Sequence, residues 1–115
     1  MSSRSQIKRI TPASRTLKFL RVQAGLSTRG AARASGLKDG VINHLENGRI
    51  DIHGRHLEKL LSAYQTSAKT YEMFASGAVK LPSDLRKDCI EIVKQMSGEQ
   101  LRTAHPVLAS LFGQK

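Results

Sequence analysis

Aromatic residues make up only 4% of the 115-residue chain and tryptophan is absent. A core must therefore be assembled from Leu, Ile, Val, Ala and Met, the kind of core that forms between packed helices, and an all-α protein is expected. There is one cysteine, Cys89, which excludes an internal disulfide and gives no reason to expect an oxidising compartment. No stretch approaches the roughly eighteen consecutive apolar residues that span a bilayer. Met1 to Pro12 lacks the apolar segment of a secretion signal, so the cytoplasm is the expected location. A glycine-rich phosphate loop, a nucleophile elbow and paired carboxylates at catalytic spacing are all missing, so neither an enzyme nor a cofactor is expected. His53 and His56 stand three apart, but with His44 they do not complete a four-ligand metal set.

What the chain does have is positive charge. Nineteen Lys and Arg face nine Asp and Glu, a net +10, with a pI near 10.4. The excess is uneven: residues 1–55 hold eleven basic and three acidic residues (+8), and residues 56–115 hold eight and six (+2). A partner rich in phosphate is expected to meet the first half.

Punctuation by Gly, Pro and small hydroxyl residues divides the chain. Residues 1–13, with Arg4, Lys8 and Arg9 and closing near Pro12, read as a flexible basic arm. From Ser14, Leu17, Leu20, Val22 and Ala24 mark a first amphipathic helix that Gly25 stops. Leu26-Ser27 leads into a short second helix of small residues, Gly30, Ala31, Ala32 and Ala34, broken at Gly36. In it, Gly30 points to a close backbone approach. A third helix is expected from Asp39 to Glu46, burying Val41, Ile42 and Leu45, exposing Asn43 and His44, and stopping at Asn47-Gly48. Leu57, Leu60, Leu61 and Tyr64 follow at helical spacing, and Tyr71, Phe74 and Ala75 point to another turn or two before Gly77. The division expected is a domain over 14–77 and a helical extension over 78–115. In the extension Leu85, Cys89, Ile92, Val93 and Met96 form one stripe, in which Cys89 reads as a packed core residue. Ser97 and Gln100 have capping-box spacing and open a stretch carrying Leu101, Ala104, Leu108, Leu111 and Phe112, which Pro106 is expected to kink or split.

Residues 20–49, LRVQAGLSTRGAARASGLKDGVINHLENGR, resemble the Cro-like and lambda-repressor-like (XRE-type) helix-turn-helix family. The likeness rests on Leu20-Arg21, Leu26-Ser27, Ala32, Gly36, Ile42 and Glu46-Asn47-Gly48 in one register, and with two further helices extends over about 14–75. It implies a five-helix DNA-binding domain and a transcriptional regulator, most naturally a repressor, whose third helix enters the major groove. By that likeness Lys38, Asp39, Gly40, Asn43 and His44 lie on the base-reading face. Thr28 and Arg29 start the second helix near phosphates, and Asn47 makes a backbone contact. Arg33, Arg49 and Arg55 suit phosphate by residue type. Asn43 offers the amide that pairs with adenine, Lys38 can reach guanine or phosphate, and Asp39 can accept from cytosine or cap its helix. Arg21 and Glu46 are expected to pair as a structural tie. Ala32 must be small where helices cross, Gly36 makes the turn, and Ile42 anchors the third helix. Lys38 stands where the family has a small hydroxyl cap, and Gly40 is a weak helix former.

Double-stranded operator DNA is thus the expected partner. Two-fold operators further imply a homodimer, with Leu85, Ile92, Val93, Met96, Leu108, Leu111 and Phe112 as its interface or, alternatively, as part of the monomer core. A second reading is an antitoxin-like subunit whose main partner is a protein held by the C-terminal helices.

Overall fold

A computed structural model of the chain describes residues 9–113; Arg4, Lys8 and the rest of positions 1–8 of the arm expected over 1–13 lie outside the described residues. The described residues form seven helices and no strand: α1 (Pro12–Gln23), α2 (Thr28–Ser35), α3 (Asp39–Glu46), α4 (Gly54–Ala63), α5 (Ala68–Ala75), α6 (Pro82–Gln95) and α7 (Gly98–Gly113). The chain divides into two compact units, Met1–Leu81 and Pro82–Lys115.

In the first unit, local chemistry sets most helix ends. The Thr11 hydroxyl accepts from the Ser14 N–H at 3.1 Å, and Ser14 Oγ accepts from the Thr11 N–H at 2.9 Å. With proline in the first helical turn, this capping box starts α1 at Pro12, two residues before the expected start at Ser14. Pro12 thus belongs to the helix and not to an arm, because its missing N–H and fixed φ suit a first turn. Ser27 Oγ caps α2 by accepting from the Gly30 N–H, and Gly36 ends it at φ 80°. Ser67 caps α5 through the Thr70 N–H. α3 has Lys38 at its N-cap without a side-chain cap bond, and Asp39 lies in the first turn. Asp39 therefore favours the helix dipole without serving as the cap.

The core gathers Leu17, Leu20, Ala31, Ile42, Leu45, Leu60, Leu61, Tyr64 and Tyr71. α1 packs on α3 and α5, and α2 packs on α3 and α4. Phe19 of α1 meets Phe74 of α5 with ring centroids 5.1 Å apart. Two expectations shift here. Val22, read as part of the buried stripe, is 58% exposed. The fully enclosed small residue of α2 is Ala31, whereas Ala32 is half-buried against the core; a register one residue off is enough to exchange them. The atoms nearest a Cβ at Gly30 belong to the neighbouring Leu26 and Ser27 side chains, at 3.4 Å, and not to the backbone of another helix.

Gly48 does more than stop α3. It has φ 69°, a Cβ on it would run into the Arg9 carbonyl, and its own carbonyl accepts from the Arg9 N–H at 3.2 Å. Residues 9 and 10 are thereby clasped against the end of α3.

The second unit is different in kind. None of the residues of α6 or α7 is buried. Cys89 is exposed, so its reading as a packed core residue is overturned: none of the stripe is buried among the described residues. The Ser97 hydroxyl accepts from the Gln100 N–H and the Gln100 side chain accepts from the Ser97 N–H, the reciprocal pair that opens α7. Pro106 lies inside α7 without splitting it. The flank of α7 is open to water there, so solvent can satisfy the carbonyl that proline leaves without a donor.

Three glycine-to-alanine substitutions should separate in urea unfolding. Gly36→Ala should lose about 1–2 kcal/mol from forcing Cβ into a left-handed conformation. Gly48→Ala should lose more, because the Arg9 clasp must open as well. Gly40→Ala, in a helix with open space around it, should gain up to about 1 kcal/mol.

Candidate nucleic-acid interface

The α2–α3 pair is held by one side chain. Arg21 Nε donates to Glu46 at 2.7 Å, its Nη2 donates to the second Glu46 oxygen at 3.1 Å, and its Nη1 donates to the Leu26 carbonyl at 2.8 Å. A residue of α1 thus binds the last turn of α3 and the lead into α2 at once. The Arg21 and Glu46 side chains are only 11% and 7% exposed, so the two-pronged geometry is what makes burial of these charges tolerable. Hydrogen bonding to Glu46 holds the Arg21 pKa above its ordinary value.

Tyr64 lies beside this pair. It is buried, and its hydroxyl has no hydrogen-bond partner among the described residues. Burial, followed by the Glu46 carboxylate, pushes the Tyr64 pKa up.

With Ile42 and Leu45 wholly buried beneath, α3 turns Lys38, Asp39, Gly40 and Asn43 outward, all exposed. His44 departs from the expected open face: it is half-buried, with Nδ1 enclosed and without a partner among the described residues. Its helical position borders the Val41–Leu45 stripe, which accounts for the enclosure. Arg29, Arg33 and Arg55 are exposed, Thr28 begins α2 half-buried, and Arg49 is half-buried with Nε enclosed. Arg55 lies just inside α4.

Asn47 has a role that sequence reasoning missed. Its Nδ2 donates both to the Asn43 carbonyl and to Asn43 Oδ1, each at 2.9 Å, and its main-chain N–H also donates to the Asn43 carbonyl. As folded, the Asn47 side chain is turned to Asn43, which it orients. The i, i+4 spacing of the two asparagines was the available signal. Gly36, at φ 80° with open space where a Cβ would stand, makes the turn between α2 and α3.

Two short helices joined by a tight turn, braced by a third and presenting an exposed polar face with basic flanks, define a helix-turn-helix unit. A family model described as a helix-turn-helix domain matches residues 13–72, just over half of the chain. The chain belongs to this helix-turn-helix family, a class of DNA-binding domains. No curated protein matches it. Among the described residues no helix is long and apolar enough to cross a membrane.

Removing either partner of the tie, by Arg21→Ala or Glu46→Ala, should cost about 3–5 kcal/mol. The double variant Arg21→Met with Glu46→Leu should be less destabilised than either single one. Urea denaturation checks both, and losses that simply add would disprove the coupling.

Tyr64 makes a pH-dependent prediction. Its folded pKa lies above the unfolded value of 10.0, so its contribution is complete below pH 10 and is lost as the pH rises and only the unfolded chain ionises. Tyr64→Phe should therefore leave stability at pH 7 equal or higher and reduce the loss above pH 10, as read from unfolding midpoints between pH 7 and 11.

Proposed function

We propose that the chain is a sequence-specific transcriptional regulator of the XRE type, acting in the cytoplasm as a repressor that occludes promoter DNA. In this reading α3 lies in the major groove and two copies sit on a two-fold site. The observation that carries the reading is the orientation of α3: Ile42, Leu45 and the Arg21-bound Glu46 fix one side, leaving Lys38, Asp39, Gly40 and Asn43 open on the other. Asn43 reads an adenine edge, Lys38 reaches guanine or phosphate, and Asp39 accepts from a cytosine amine. His44 contributes only from the edge of the face. Arg29, Arg33 and Arg49 neutralise phosphates alongside the start of α2, with Arg55 further along, as the charge excess of residues 1–55 favours.

Selection of bound sequences from a random DNA pool tests this. Asn43→Ala should relax preference at one position by about 1–3 kcal/mol, and Asn47→Ala should relax the same position. Arg29→Ala should weaken all sequences alike and reduce the log–log salt slope by about 0.9. A preference untouched by Asn43→Ala but altered by Arg29→Ala would reverse the division between reading and positioning.

A further inference from the structure

We infer that the α6–α7 unit is the seat of a second copy of this chain, with α6 lying antiparallel on the partner's α6 across a two-fold axis. The unit carries Leu85, Ile90, Ile92, Leu108, Leu111 and Phe112 between 48% and 89% exposed. Among the described residues fourteen large apolar residues are exposed, nine of them in residues 82–113 and five in residues 9–81, a span more than twice as long. α6 and α7 do not pack along their lengths. A groove of about 710 Å³ opens between them, lined by Cys89, Ile92, Val93, Met96, Ala104 and Leu108 among others. A fourteen-residue helix is marginal in water without tertiary packing, and a unit this small does not sustain itself without an added constraint or association. Its cover must therefore be present whenever the chain is folded, as a second copy is.

Charge favours the same occupant. Residues 1–81 hold fourteen basic and five acidic residues, whereas residues 82–115 hold five and four. Two chains meeting through the first unit would bring like charges together; meeting through the second, they would not. An antiparallel pair across the apolar stripe brings the two Cys89 residues, midway along α6, close to the axis. This arrangement supplies a surface for the dimer invoked above but does not depend on DNA being the ligand.

Sedimentation velocity of the full chain at micromolar concentration, without DNA, should give about twice the 12.6 kDa chain mass. Ile92→Glu with Leu108→Glu should return the monomer mass while the urea transition of the first unit persists. A short bis-maleimide should link Cys89 to Cys89 in the parent chain and fail to do so in the double variant. A parent chain that stays monomeric overturns the inference, including one that associates only with a different protein. So does a dimer that survives both glutamates without a Cys89 cross-link. A dimer that forms as described yet binds no DNA would refute the proposed function and leave this pairing intact.

Discussion

The guanidinium of Arg21 is the constraint on which the DNA-facing half depends. A helix-turn-helix needs two short helices at a fixed angle, and α2 and α3, of eight residues each, are too short to hold one by their own contacts. Arg21 uses three donors to join α1, the Leu26 carbonyl and Glu46. Lysine could not imitate it, because the contact depends on a rigid fork that meets both carboxylate oxygens while a third nitrogen turns to a carbonyl. Ile42 and Leu45 supply the apolar part of the same joint, so the outward face of α3 has little freedom to rotate.

The molecule separates its tasks by composition. The first unit concentrates positive charge on a fold whose apolar residues are mostly inside; the second is nearly balanced in charge and keeps its apolar residues outside. In the proposed pairing, association through the nearly balanced unit would spare the basic unit from self-repulsion, and phosphate attraction to the basic unit would leave the apolar face free of competing polyanions.

What could be read from the amino-acid order was what depends on near neighbours. The limits of α2 and α3 follow from Ser27, Gly36 and Gly48, and the start of α7 from Ser97 and Gln100, because caps and turns act over three or four residues. The start of α1 was misplaced because Pro12 serves a loop and a first helical turn equally well. Arg21 and Glu46, 25 residues apart, came together only through the family likeness, since no local rule links them. That Ala31 is more deeply enclosed than Ala32 was not legible, because periodicity alone does not resolve a single-residue register in so short a helix. The exposed state of Cys89 was hidden for a different reason: an apolar stripe shows that a helix face needs cover but not whether the same chain provides it.

The amide pair of Asn43 and Asn47 has a thermodynamic consequence. An exposed asparagine ordinarily samples several rotamers and gives up that freedom when it grips a base. Here Asn47 has already restricted Asn43 before any encounter, and Asn43 Oδ1 keeps a second lone pair alongside its two amide protons. In the proposed contact of Asn43 with a base, part of the entropic cost would therefore be met during folding. The gain is selective, because an amide held in one orientation cannot turn to accommodate a different base edge.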